Sequence, residues 1–141
     1  MQVFKFGGAS VRDAESIKNV ASIILKYKEE PLLVVVSAIG KTTNALEELT
    51  KTFFQQSGDA FELLNEIKKS HFSILDQLFA DHSHPIFDEI ANAFVETEWI
   101  LEEEPQDTYD YLYDQIVSLG ELLSSRIISA YAAHVGVQSR W

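Results

Sequence analysis

Two short apolar-rich runs lie near the N-terminus, Val3 to Phe6 stopped by Gly7-Gly8, and Leu32 to Val36 stopped by Ser37 to Gly40. Runs of this length bounded by turn residues read as buried strands. Between them, Val11, Ala14, Ile17, Val20, Ala21, Ile24 and Leu25 recur at three- and four-residue steps, which predicts one amphipathic helix from Val11 to Lys28. Ser10 with Asp13 three residues on resembles a capping box for its start, and Pro31 follows its end. Strand, glycine turn, helix, strand is a βαβ unit, with the sheet expected to be buried on both faces. A third apolar run, Val135 to Val137, reads as another strand of the same sheet.

From Asn44 to His134 the pattern is helical almost throughout. Phe61, Leu64, Ile67, His71, Leu75 and Leu78 form one stripe, Ile86, Ile90, Phe94 and Ile100 a second, and Tyr109, Leu112, Tyr113, Ile116 and Val117 a third. Breaks are expected at Ser57-Gly58-Asp59, Ser83-His84-Pro85 and Glu104-Pro105-Gln106, with a last helix from about Leu119 to His134. The fold class is therefore α/β, with a large helical portion between the second and third strands. Three strands are few for an α/β domain that covers two faces, so the chain is expected to be part of a larger protein.

Composition narrows the function. The 141 residues are 46% hydrophobic and contain no cysteine, which removes disulfides and thiolate chemistry. No apolar run approaches the roughly 20 residues that span a bilayer, and no signal-peptide pattern opens the chain, so a cytoplasmic protein without a membrane partner is expected. The net charge of −11 argues against nucleic-acid binding. Residues 45–118 hold 17 of the 22 acidic side chains and only three lysines, leaving the two ends net positive. A phosphate or carboxylate site should be built from those ends.

The candidate chemistry lies there. A glycine pair between a strand and a helix lets the backbone approach a phosphate, and free N–H groups at a helix start favour anions. Gly7, Gly8 and Ser10 suit this, and Lys5 could neutralise charge on a transferring phosphoryl group. The alternative is a tight turn beside an edge-strand charge. The loop Ser37 to Asn44 follows the second strand, and ligands of open α/β sheets sit beyond such strand ends. Hydroxyls of Ser37 and Thr43 could hold a small polar substrate, whereas Thr43 or Asn44 as N-cap with Glu47 as partner is the preferred reading of Asn44. The four histidines are weak metal candidates. Trp99 and the aromatic stripe read as core, and Arg126 as structural.

The run Lys5-Phe6-Gly7-Gly8-Ala9-Ser10-Val11 resembles the K-F-G-G-T-S-V signature that opens aspartate kinases. Val36 to Asn44 resembles their second loop, Val117 to Ser124 is similar to their S-x-G-E-x-x-S segment, and Val137 to Trp141 resembles the strand that follows. Order and approximate spacing agree over the whole chain. Ala9 departs from the usual threonine, a change that costs a hydroxyl but no backbone donor.

The resemblance implies part of a three-layer αβα amino-acid kinase-like domain with a mostly parallel sheet. It implies ATP-dependent phosphorylation of the L-aspartate side-chain carboxylate to 4-phospho-L-aspartate, ahead of lysine, threonine and methionine synthesis. Mg-ATP would be the co-substrate, with no tightly bound cofactor and no metal site in this chain. Lys5 would stabilise the transferring phosphate, Gly7, Gly8 and Ser10 would cradle it, and Ser37, Thr43 and Glu121 would position aspartate. A Ser118-x-x-Glu121 capping box is the alternative for Glu121. Residues 1–141 would be the substrate-side part of the catalytic domain, without the nucleotide-binding half or the ACT regulatory domains, inactive alone and homo-oligomeric when intact. The rivals are a glutamate or acetylglutamate kinase, and a non-catalytic helical assembly module.

Overall fold

Residues 1–141 are all described by the computed structural model. Strands β1 (Gln2–Phe6) and β2 (Leu32–Val36) pair in parallel, Gln2 opposite Leu32 and Phe6 opposite Val36. Helix α1 (Ala14–Lys26) crosses over between them and buries Ala14, Ile17, Val20, Ala21 and Ile24, the face that the three- and four-residue steps define. The glycine pair opens not into α1 but into a single 3-10 turn, Gly8–Ser10. The cap of α1 is accordingly Asp13 rather than Ser10, its carboxylate accepting from the Ser16 amide at 2.8 Å. Hydrogen bonds from the Ser16 hydroxyl and amide hold the Asp13 carboxyl below the usual range.

Helices α2 (Thr42–Gln55), α3 (Ala60–Leu78), α4 (Ile86–Glu102), α5 (Tyr109–Val117) and α6 (Leu119–His134) complete the chain, with breaks at all three expected turns. α6 lies at the centre, packed on α1, α2, α4, α5 and β2. Its Leu123, Ile127 and Ile128 join Ile17, Leu46, Leu49, Leu75, Ile90, Phe94 and Ile116 in one continuous core. Each such side chain contributes roughly 1.5–3 kcal/mol by leaving water. The stretch Tyr109–His134 is helical and apolar enough to cross a membrane by length and composition. It is divided at Ser118 and buried against other helices, as a core helix pair is.

Three expectations are corrected. Residues 135–141 form no strand: the amides of Gly136 and Val137 turn back onto the carbonyls of Ala133 and Ala132, and Gly136 takes a φ of +99°. An apolar run becomes a strand only when its backbone finds a neighbour, and this one closes the C-terminus of α6 instead. Nor is the sheet buried on both faces. Val3, Leu33 and Val35 are 59%, 51% and 44% exposed on the side away from the helices. Trp99 is 63% exposed, while Phe94 on the same helix is core.

His71 is fully buried among α3 and α4 and meets the Phe94 ring edge-on at 5.8 Å. Its Nδ1–H donates to the Ile67 carbonyl at 2.8 Å, which leaves Nε2 bare in the core without a partner. Burial pushes its pKa below the ordinary 6.5. The unfolded chain therefore takes up a proton that the folded one refuses, so stability is full above the unfolded value and falls as pH drops below it. The unfolding free energy from urea titrations should decline from about pH 7 to pH 5, by up to about 1.4 kcal/mol per pH unit from this group. His71→Leu should flatten that part of the profile; an unchanged slope would remove His71 as its cause.

Candidate active site

The two strands run in the same direction, so the loops that follow them emerge side by side. The Ser37 amide donates to the Phe6 carbonyl at 3.0 Å, which ties the second loop to the start of the first. Further on the backbones almost touch: a Cβ on Gly8 would stand 3.4 Å from the Gly40 carbonyl, and one on Gly40 3.3 Å from the Arg12 carbonyl.

Both loops present free donors. The amides of Gly7, Gly8 and Ala9 bond to no carbonyl of the chain, because the 3-10 turn uses only those of Ser10 and Val11. The start of α2 is similar. Lys41 occupies the cap position without a side-chain bond, and Thr42 turns its hydroxyl back onto the Ile39 carbonyl at 2.6 Å. Neither Thr43 nor Asn44 is the cap, and Glu47 accepts from Tyr113 instead of closing a capping box. The amides of Thr43 and Asn44 are left without backbone acceptors at the positive end of a 14-residue helix. α1 differs: its own Asp13 fills that role.

Of the expected site residues, Gly7, Gly8, Ser10, Ser37 and Thr43 all lie on these two loops or at the first turn of α2. Ser37 spends its N–H on Phe6, and its carbonyl accepts from Ser124 at 2.6 Å. Lys5 is exposed, one residue before the end of β1, on the open sheet face beside Val35, and it enters no ion pair. Glu121 is exposed in the first turn of α6, next to Gly120, which packs against Ala38, Leu46 and Thr42. The capping box proposed for it is absent, since Ser118 is helical in φ and ψ and makes no side-chain cap bond. His84 Nδ1 accepts from the Ile86 amide at 3.1 Å, and no three histidine or acidic side chains assemble for a metal. The Arg126 guanidinium stacks 4.4 Å from the Trp141 ring centroid.

Gly40 and Gly7 separate the demands of fold from those of ligand. Gly40 has a φ of +53° and its Cβ would press on the Arg12 carbonyl, so Gly40→Ala should cost about 1–2 kcal/mol and lower the melting temperature by several degrees. Gly7 has a φ of −77° and nothing within 4 Å of its Cβ position, so Gly7→Ala should melt as wild type does. Thermal melts of the two variants check both expectations.

The whole chain, residues 1–141, matches the profile of the Amino acid kinase family. It is 37% identical over 142 residues to "Aspartokinase 1, chloroplastic" of Arabidopsis thaliana, covering 98% of this chain and 24% of that protein. It is 32% identical to "Lysine-sensitive aspartokinase 3" of Escherichia coli K12, covering 99% of this chain and 30% of that protein. It superposes with a TM-score of 0.84 and 32% identity on E. coli aspartokinase III in complex with aspartate and ADP, over 100% of this chain and 30% of that one. The chain thus spans between about a quarter and a third of the length of these relatives.

Proposed function

The chain belongs to the Amino acid kinase family, and from that premise we propose that it forms the acceptor and terminal-phosphate side of an aspartate kinase. The observation that carries this reading is the pair of adjacent loops with unpaired amides, Gly7 to Ala9 and Thr43-Asn44, flanked by the free Lys5. Such amides suit an anion that approaches the backbone closely. Gly7 supports it independently, because neither its dihedrals nor its neighbours require a glycine. The likeness to aspartokinase III bound to aspartate and ADP supports aspartate as acceptor and ATP as donor.

In the proposed reaction the ionised side-chain carboxylate of aspartate attacks the γ-phosphorus of Mg-ATP. A carboxylate-oxygen to phosphorus bond forms, the bond from that phosphorus to the β,γ-bridging oxygen breaks, and ADP leaves with the electron pair. The product is the acyl phosphate 4-phospho-L-aspartate, which would enter lysine, threonine and methionine synthesis. No side-chain nucleophile is required, so the protein acts by alignment and by stabilising charge on the phosphoryl oxygens. Lys5 and the amides of Gly7 and Gly8 supply the charge stabilisation, with Ser10 at the close of that turn. Ser37 and Thr43 hold the carboxylate end of aspartate, and Glu121 takes its ammonium group.

Adenine recognition belongs, in this reading, to a further part of the protein beyond residues 1–141, and the chain alone turns over no aspartate. Assaying the intact protein with L-aspartate, L-glutamate and N-acetyl-L-glutamate tests the acceptor. ADP release should depend on aspartate and be weak with the other two. A preference for either of those, or none for any, would overturn the reading.

A further inference from the structure

Hydroxyls inside helices usually bond back to the carbonyl of their own preceding turn. In this chain Ser22 bonds to Asn19, Thr50 to Leu46, Ser70 to Ile67 and Ser125 to Leu122, each within its own helix. Ser124 does not. Fully buried in α6, it donates across 87 residues of sequence to the Ser37 carbonyl at 2.6 Å. One turn earlier on the same helix, Gly120 makes a second contact with the same loop. A Cβ there would stand 2.8 Å from the Ala38 Cβ, 3.4 Å from Leu46 Cδ1 and 3.6 Å from Thr42 Cγ2, so the helix lies against the loop as closely as a glycine allows. Glu121, adjacent to Gly120, remains exposed.

From these contacts we propose that Ser124, together with Gly120, is a positioning residue that locks the Ser37 loop to the helix carrying Glu121. The two groups assigned to opposite ends of the substrate, the Ser37 hydroxyl and the Glu121 carboxylate, then keep one fixed separation. Ser37 is gripped on both sides, by Phe6 through its N–H and by Ser124 through its carbonyl. Loss of the Ser124 hydroxyl frees the loop on the α6 side and lets Ser37 shift, while every group assigned to touch substrate is still present. A misplacement of this kind costs binding and alignment without removing a contact. The inference rests on the proposed acceptor site.

The test uses the intact protein carrying this chain, as wild type, Ser124→Ala, Gly120→Ala and Thr50→Val. Thr50 is the control: its hydroxyl is equally buried but bonds within α2. Ser124→Ala should raise the KM for aspartate about tenfold and leave the KM for ATP unchanged, on the scale of one lost hydrogen bond to a positioning group. Hydrogen exchange at the amides of residues 37–43 should quicken without substrate present. Gly120→Ala should do both with the Ser124 hydroxyl intact, because its methyl pushes Ala38 away, and Thr50→Val should do neither. Wild-type exchange and KM in Ser124→Ala, or equal changes in Thr50→Val, would overturn the proposal. A wild-type protein without aspartate turnover would instead overturn the acceptor assignment, and the exchange measurement would still decide whether Ser124 holds the loop.

Discussion

Lys5→Ala in the intact protein should lower kcat by about a hundredfold to a thousandfold, the scale of removing one preorganised electrostatic donor. The KM for aspartate changes little. Negative charge on the phosphoryl oxygens is redistributed as the bond to ADP breaks, so a cation placed at the end of β1 acts chiefly in the transition state. The lysine is free to do so: it is exposed, unpaired and flanked on the sheet face by apolar Val3 and Val35 rather than by a carboxylate. Because it supports no internal contact of that kind, its removal should leave the melting temperature near wild type. Steady-state kinetics beside a thermal melt check this, and an unchanged kcat would leave Lys5 as an ordinary strand-end charge.

Glu121→Gln separates binding from chemistry in the opposite sense. The substrate ammonium carries the same charge in ground and transition states, so the variant should raise the KM for aspartate with kcat nearly kept. Hydrogen bonds to charged groups contribute roughly 1.5–3 kcal/mol, which corresponds to about a tenfold to hundredfold rise. Stability should be unaffected, because Ser118 and Glu121 make no capping box. A loss of thermal stability with KM unchanged would return Glu121 to a structural role.

Helix and strand positions were largely legible in the chain, and the reason is periodicity. Of the expected stripe, Leu64, Ile67, His71, Leu75 and Leu78 are the buried face of α3 while Phe61 in its first turn is exposed, and glycine or proline stands at each break between α2 and α5. Caps were not legible, because Ser10, Asp13, Thr43 and Asn44 are all good capping residues and only the path of the backbone selects among them. The path chose Asp13 for α1 and nothing for α2. Apolar runs were equally silent on what covers them: Leu32 to Val36 looks the same whether one face is packed or two, and Val135 to Val137 the same whether it pairs or turns.

The candidate site was half legible. Lys5, Gly7, Gly8 and the Ser37 to Asn44 loop announced themselves as small or basic residues after strands, and the parallel pairing then places both loops together. The uncapped amides of Thr43 and Asn44 could not be read, since they depend on Lys41 taking the cap position. Gly120 and Ser124 did carry a signal. They belong to the same S-x-G-E-x-x-S segment as Glu121, and a glycine inside a helix calls for a packing reason.

A structure of the intact protein with L-aspartate and a non-hydrolysable ATP analogue tests the central claim most directly. The account predicts the γ-phosphate over the amides of Gly7 and Gly8 with Lys5 Nζ in contact, the aspartate ammonium on Glu121, its side-chain carboxylate between Ser37 and Thr43, and the adenine outside residues 1–141. Adenine seated in this chain, or aspartate bound away from the two loops, would contradict it.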